Sequence, residues 1–173
     1  MSSKAPFKVL LVCLGNICRS PTAEVIFKHL SDEHKLNIIV DSAGTSNYHP
    51  GKAPDLRSQK HAMKRGYDLS ALRARQVIAN DFVEFDLILA MDHENLTNLK
   101  QLLESVKVSF NGRNQKFAEI AMMSEHDPRY LKKDVPDPYY GGDEGFEAVL
   151  NQCESSAQAW IDFLKQQQPE RVY

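Results

Sequence analysis

Residues 7–24 read FKVLLVCLGNICRSPTAE, and this stretch decides the fold. The run from Phe7 to Cys13 is apolar and partly β-branched, which predicts a strand buried on both faces, as in a parallel sheet. Beyond the glycine that follows, Ser20 can cap a helix, Pro21 suits its first position and Glu24 favours its positive end. The stretch therefore predicts a strand, a loop and a helix in that order.

The same alternation continues along the chain. Residues 37–40 predict a second strand that enters a turn at 41–45, and residues 85–91 predict another strand. Leucines then recur at helical spacing, and an apolar stripe that starts at Gly145 predicts a long final helix. This order is typical of an α/β three-layer sandwich, a parallel sheet flanked by helices, with its ligand site beyond the carboxyl ends of the strands.

Length and composition predict one domain over residues 1–173. Segments 48–53 and 122–142 are rich in Pro, Gly, Asp and His, so we expect loops there, and the pair Asn111-Gly112 can close a small hairpin. The chain has 173 residues, of which 42% are hydrophobic and 25% charged, as in ordinary globular proteins. We find no internal repeat.

Charge, termini and cysteines exclude several classes of protein. The net charge of −2 provides no basic field, so we expect no nucleic acid partner. The N-terminal apolar run breaks at Gly15, too early for a membrane helix, and it lacks a signal-peptide cleavage pattern. Three cysteines form neither a disulfide framework nor a zinc spacing, and the histidines lack the spacing of a zinc helix. We therefore expect a cytoplasmic monomer without membrane insertion, metal or cofactor.

The loop between the first strand and the first helix has the composition of an anion cradle. Backbone N–H groups at a helix N-terminus converge on one point, where the helix dipole adds about half a positive charge. Arg19 can bind two phosphoryl oxygens with its planar fork. The same field favours a thiolate at Cys13, which could attack phosphorus, and Ser20 could donate a hydrogen bond to the sulfur. Gly15 and Asn16 are residue types that accept left-handed backbone angles, which a tightly curled loop requires.

An alternative interpretation treats Cys13 as a small buried hydrophobe and Arg19 as a solvated charge. A bare Cys-x5-Arg spacing recurs by chance in unrelated proteins. Its position between a buried strand and a helix favours the functional interpretation.

The stretch from Val12 to Glu24 resembles the signature of the low-molecular-weight protein tyrosine phosphatases. The resemblance continues through residues 41–45, 74–77, 85–86, 91–92 and 137–141. It implies a four-stranded parallel sheet and metal-free hydrolysis of phosphotyrosine in proteins, and of small aryl phosphates, through a phosphocysteine on Cys13. It also implies that the loop residues Leu14, Gly15, Asn16, Ile17, Cys18 and Ser20 bind the phosphoryl group, while Arg19 clamps it.

The family resemblance assigns Asp137 as the acid that protonates the leaving phenolate, after which its carboxylate can activate water. Taken alone, an Asp-Pro pair is more often a turn than a catalyst. Tyr48, Tyr139 and Tyr140 are expected to wall the pocket and stack on the substrate ring. For Tyr48 and Tyr140, ordinary packing is the alternative.

Two further roles come from the same resemblance. Cys18 could trap an oxidised Cys13 as a reversible disulfide. In the family, Asn16, Ser20 and Ser42 join a histidine in a hydrogen-bond network behind the loop. Leu72 occupies that position in this chain, so we expect the network to be incomplete or differently closed.

Three rival functions share parts of this pattern. An arsenate reductase would need downstream cysteines, but residues 19–152 contain none. A protein-arginine phosphatase has threonine where this loop has Ile17, and isoleucine leaves more room for a flat aromatic group. A silent phospho-binding module would have lost Cys13 or Asp137, and both are present.

Overall fold

Four parallel strands carry the fold in residues 4–111 and 113–173, which the computed structural model describes. The strands, in the spatial order β2-β1-β3-β4, are β1 (Phe7–Cys13), β2 (Ile38–Gly44), β3 (Leu87–Ala90) and β4 (Glu119–Met122). The helices are α1 (Arg19–Glu33), α2 (Leu56–Met63), α3 (Asp81–Glu84), α4 (His93–Phe110), α5 (Asp143–Gln167) and α6 (Pro169–Val172). The predicted strand, loop and helix at the start of the chain are confirmed.

Strand β1 lies in the interior of the sheet and pairs along its length with β2, ending with Cys13 opposite Gly44. On its other side it pairs with β3, ending with Val12 opposite Ala90. Parallel pairing brings the carboxyl ends of these strands to one edge of the sheet. Cys13 therefore lies where the loops after β1, β2 and β3 meet.

Two apolar layers bury the two faces of the sheet. Val9 and Leu11 face the layer that includes α1 and α5, and Leu10 and Val12 face the layer that includes α4. Alternate residues of a strand point to opposite faces, so one uninterrupted apolar run can supply both layers. The three-layer α/β sandwich is thus confirmed.

Two of the predicted turns are wrong. Residues 41–44 continue strand β2, with Ser42 and Ala43 paired to Leu11 and Val12, because the hydrogen-bonding ladder outweighs the turn propensity of Asp-Ser. Asn111 is the C-cap of α4 in the left-handed conformation, with φ of 44°, and does not close a hairpin. Gly112 lies outside the described residues.

The start of α1 also differs from the prediction. The helix begins at Arg19, so Pro21 is its third residue, which is tolerated because the first four N–H groups of a helix have no intrahelical partner. Ser20 lies inside the helix and is not its cap, and Glu24 is buried one turn further on. Both side chains point instead into the region behind the loop.

Other boundaries shift only slightly. The final helix starts at Asp143 and the third predicted strand spans Leu87–Ala90. In the described part of the chain, no helix combines the length and the apolarity needed to cross a membrane.

Candidate active site

The loop of residues 13–20, called here the phosphate loop, curls tightly against the end of β2. Asn16 adopts a left-handed φ of 56°, as its residue type allows. Gly15 does not have a positive φ, so that part of the prediction is wrong. The backbone N–H groups of Thr45 and Ser46 donate to the carbonyls of Cys13 and Leu14, which holds the loop to the segment that follows β2.

Gly44 is required for this close approach. A Cβ atom at Gly44 would lie 2.6 Å from the carbonyl oxygen of Leu14, a distance that backbone atoms cannot relieve without moving the loop. The glycine thus lets β2 press against the phosphate loop.

Asn16 organises the hydrogen bonds behind the loop. Its Nδ2 donates to Ser20 Oγ at 2.8 Å and to Ser42 Oγ at 2.9 Å, while its backbone N–H donates to Cys13 Sγ at 3.2 Å. Ser20 Oγ lies 3.0 Å from the same sulfur. The network that the family resemblance implied is therefore present around Asn16, Ser20 and Ser42.

The network closes without a histidine. The backbone N–H of Arg75 donates to Asn16 Oδ1 at 3.1 Å, and Leu72 packs against the apolar core. A main-chain donor thus satisfies the amide oxygen of Asn16, so of the two expected outcomes, an incomplete network or a differently closed one, the structure shows the second.

The phosphate loop leaves several donors available for an anion. The amide groups of Gly15, Ile17, Cys18 and Arg19 find no acceptor within residues 4–111 and 113–173. They lie at the N-terminus of α1, whose dipole favours negative charge. This region can bind a phosphate dianion above the sulfur of Cys13.

Arg19 is buried and held from one side. Its Nη1 donates to Asp92 Oδ2 at 2.5 Å and to the carbonyl of Val135 at 3.1 Å. Burial opposes the charged form, but the nearby Cys13 and the carboxylate of Asp92 together raise the pKa of Arg19. Its Nε and Nη2 donate to no acceptor in the described residues, so this side of the fork can meet a phosphoryl group.

Asp137 lies across the cavity, at the start of residues 137–142, called here the acid segment. Its Oδ2 is 3.8 Å from Arg19 Nη2, and its side chain is 44% exposed. Oδ1 accepts a hydrogen bond from the backbone N–H of Tyr139 at 3.1 Å. The carboxyl group therefore borders both the phosphate loop and solvent.

An aromatic wall surrounds a cavity of about 300 Å³ above the sulfur. The Tyr139 ring lies 6.4 Å from the His49 ring and 4.9 Å from the Tyr140 ring, and Tyr48 lies beside His49 at 6.4 Å. The cavity is lined by Cys13, Leu14, Gly15, Ile17, Cys18, Arg19, Tyr48, His49, Asp137, Tyr139 and Tyr140. Of the predicted site residues, Asn16, Ser20 and Ser42 lie behind this lining.

The chain matches the family described as low molecular weight phosphotyrosine protein phosphatase over residues 8–170. It belongs to that family. The human low molecular weight phosphotyrosine protein phosphatase is 40% identical over 94% of this chain and 98% of its own length. The present chain also resembles solved structures, with sequence identities of 38% and 33% for the two described next.

Two solved structures illustrate the likeness. A protein tyrosine phosphatase from Entamoeba histolytica, crystallised with Hepes in its active site, is 38% identical, with a TM-score of 0.81 over 92% of this chain and 97% of the other. A Drosophila arginine phosphatase is 33% identical, with a TM-score of 0.83 over 92% and 98%. The fold alone therefore does not separate the two substrate classes.

Burial changes the acidity of two further side chains around the phosphatase site. It raises the pKa of the Cys18 thiol to about 12, partly offset by a hydrogen bond with Ser58. Burial also raises the pKa of Glu24 from 4.5 to about 7, with Ser42 and Arg75 opposing the shift and Asp41 adding to it. Glu24 is therefore not the simple helix-end anion that its position predicted.

Sequence reasoning missed several residues of this site. Asp92 orients Arg19, and its position two residues after the end of β3 was the available signal, since side chains at strand ends meet at one edge. His49 packs so closely on the loop that a Cβ at Gly15 would lie 3.1 Å from its Cδ2. Nothing in the local sequence indicates that contact.

Proposed function

We propose that this phosphatase hydrolyses phosphotyrosine through a phosphocysteine intermediate, with Cys13 as nucleophile, Arg19 as phosphate clamp and Asp137 as general acid and base. The observation that carries the proposal is the grouping of these three side chains around one cavity. Cys13 Sγ is at its floor, with the Asn16 N–H and Ser20 Oγ as hydrogen-bonding neighbours. Both neighbours can donate a hydrogen bond to the sulfur, whose thiolate is the reactive form of cysteine.

In the first step, the Cys13 thiolate attacks phosphorus and the bond to the tyrosyl oxygen breaks. Arg19 and the open amide groups of the phosphate loop bind the three equatorial oxygens, so charge is stabilised where it accumulates. Protonated Asp137 transfers its proton to the departing phenolate. The products are free tyrosine in the substrate and a phosphoryl group on sulfur.

In the second step, water hydrolyses the phosphocysteine. The Asp137 carboxylate left by the first step takes a proton from the water as its oxygen attacks phosphorus. The sulfur departs as a thiolate, and Ser20 donates a hydrogen bond to it. Phosphate is released, and both Cys13 and Asp137 return to their starting states.

The cavity wall favours an aryl substrate over phosphoarginine. Ile17 presents an apolar side chain to the cavity, and Tyr48 and Tyr139 present flat rings beside it. A phenyl ring can stack there, whereas a guanidinium would find no hydroxyl at position 17. We therefore propose phosphotyrosine-containing proteins as substrates.

The setting in the cell is part of the same proposal. The three cysteines Cys13, Cys18 and Cys153 are free thiols, which suits the reducing cytoplasm. We propose that the chain acts there as a monomer, which size-exclusion chromatography with light scattering would measure directly.

The proposal is tested with para-nitrophenyl phosphate and three phosphopeptides. We expect hydrolysis that persists in a chelator, is inhibited by vanadate and disappears in Cys13→Ser. Peptides carrying phosphotyrosine, phosphoserine or phosphoarginine, assayed side by side, should show a clear preference for phosphotyrosine. Full turnover by Cys13→Ser, or a preference for phosphoarginine, would contradict the proposal.

A further inference from the structure

Arg57, in the first turn of α2, connects two walls of the cavity without lining it. Its Nε and Nη2 donate to the two carboxylate oxygens of Asp55, at 3.1 and 2.9 Å. Nη2 also donates to the backbone carbonyl of Tyr139 at 3.0 Å. One guanidinium thus joins the loop that precedes α2 to the acid segment.

Asp55 in turn is attached to the phosphate loop. Its backbone N–H donates to the carbonyl of Ile17 at 2.8 Å, and its side chain is only 13% exposed. Asp55 Oδ1 also accepts the backbone N–H of Arg57, as the N-cap of α2. Asp55 therefore links the Arg57 side chain to the same loop that holds the nucleophile.

Aromatic contacts fix the other side of the guanidinium. Its central carbon lies 5.6 Å from the centroid of the Tyr139 ring and 4.8 Å from that of Phe146, in the first turn of α5. Cations are attracted to ring faces at such distances. The guanidinium is thereby confined between the acid segment and the helix that follows it.

These contacts form a hydrogen-bonded path from the phosphate loop to the proposed acid. It runs from the Ile17 carbonyl through Asp55 and Arg57 to the Tyr139 carbonyl, and the N–H of Tyr139 donates to Asp137 Oδ1 at 3.1 Å. An acid must lie within hydrogen-bonding reach of the leaving oxygen, so its distance from the bound phosphoryl group matters. Arg19 holds the backbone just before Asp137 through the carbonyl of Val135, and the path through Arg57 holds the backbone just after it.

We propose that Arg57 is a positioning residue that holds the acid segment in register with the phosphate loop, so that Asp137 reaches the leaving group. The inference rests on the proposed function of Asp137. It requires the planar fork of arginine, because three acceptors on two segments are bound at once, which a lysine ammonium cannot reproduce.

A purely structural role for Arg57 makes a different prediction. If Arg57 served only to stabilise the start of α2, its removal would lower the free energy of unfolding, or would lower kcat/KM equally for all substrates. If it positions the acid, its removal should slow mainly substrates whose leaving group needs protonation. The leaving-group dependence of kcat/KM therefore separates the two roles.

The test compares phenyl phosphate, which has a poor leaving group, with para-nitrophenyl phosphate, which has a good one. We expect Arg57→Ala to lower kcat/KM about tenfold for phenyl phosphate and less than about threefold for para-nitrophenyl phosphate. Inhibition by inorganic phosphate should stay within about twofold of the parent, because the phosphate loop is intact. Arg57→Lys should show the same selective loss, and it provides the test if the alanine variant fails to fold.

Two further variants complete the design. Lys52→Ala removes an exposed cation from the loop before α2 and should leave both substrates unaffected, which controls for charge alone. In an Asp137→Asn background, Arg57→Ala should have almost no additional effect on phenyl phosphate, because the proton donor is already absent.

The outcomes distinguish this inference from the proposed function. Equal slowing of both substrates by the Arg57 variants, or a full effect of Arg57→Ala in the Asp137→Asn background, would overturn the positioning role alone. If Asp137→Asn itself showed no selectivity between the two leaving groups, the assignment of the acid would fail, and the role of Arg57 with it.

Discussion

The phosphate loop and the acid segment face each other across one cavity, yet they are held in opposite ways. The phosphate loop is contiguous in sequence and its functional side chains are buried, with Cys13, Asn16, Arg19 and Ser20 between 0 and 4% exposed. In the acid segment, by contrast, the Asp137 side chain is 44% exposed and Tyr140 is 93% exposed. Anion binding is thus built into a buried turn, whereas proton transfer depends on an exposed segment positioned by a few long-range contacts.

This difference has a functional consequence. A buried loop bonded to itself and to β2 keeps one geometry, which suits the alignment of nucleophile and phosphorus. An exposed acid can exchange protons with solvent and allow the product to leave. Changes in the two regions should therefore alter different kinetic quantities.

The largest effect should come from Arg19→Lys, in the phosphate loop. Lysine keeps the charge but loses the fork and the contacts with Asp92 and Val135, so kcat/KM should fall about a hundredfold to a thousandfold. Steady-state assays with phenyl and para-nitrophenyl phosphate should show equal losses. A loss confined to phenyl phosphate would contradict the division of roles.

Asp137→Ala should give the next largest effect, and a selective one. We expect kcat/KM to fall about a hundredfold for phenyl phosphate but less than about tenfold for para-nitrophenyl phosphate. The para-nitrophenolate leaving group departs without protonation by an acid. The ratio of the two losses is the quantity to measure. A ratio near one would reassign the general acid.

Glu24→Gln tests the buried region behind the phosphate loop through stability. A carboxyl with a folded pKa of about 7 and an ordinary value of 4.5 imposes no penalty below pH 4.5. Between pH 4.5 and about pH 7 the folded state binds more protons than the unfolded one, so the free energy of unfolding falls as the pH rises. The full loss is present above about pH 7.

Urea denaturation at about pH 5 and about pH 7.5 measures this effect. The difference in free energy of unfolding between Glu24→Gln and the parent should rise by about 2 kcal/mol in favour of glutamine at the higher pH. Groups that titrate in both proteins cancel in this comparison. A difference that is the same at both pH values would show that Glu24 ionises normally.

Asn16→Ala should have the smallest effect on this scale, about tenfold in kcat/KM. The change removes the bonds to Ser20 and Ser42 and forces alanine into a left-handed conformation. Asn16→Gly restores the backbone freedom and serves as the matched variant. If both variants kept full activity, the network behind the loop would have no role in catalysis.

Sequence reasoning located the phosphate loop well because its determinants are local. The apolar run that ends at Cys13 specifies a buried strand, and Arg19 follows after a short loop, at the first residue of α1. It misjudged Ser20 and Glu24 because both types commonly stabilise helix starts, whereas here they point into a buried polar region.

The acid segment was much harder to predict from local rules. Asp137 and its tyrosines were assigned only through family resemblance, since Asp-Pro is an ordinary turn sequence. The partners that organise the site are distant along the chain: Asp92 is 73 residues from Arg19, and Arg57 is 82 residues from Tyr139. Such pairs are brought together by the sheet topology, which no local pattern encodes.

The most direct test of the central claim is to trap the phosphoryl enzyme. Asp137→Ala, mixed with excess para-nitrophenyl phosphate and quenched in acid, should accumulate one phosphoryl group per chain, and peptide mass mapping should locate it on Cys13. The same experiment with Cys13→Ser should give no labelled peptide from residues 13–19. The account would be contradicted if the parent hydrolysed the substrate but Asp137→Ala trapped no phosphoryl group, or if the group were found on a residue other than Cys13.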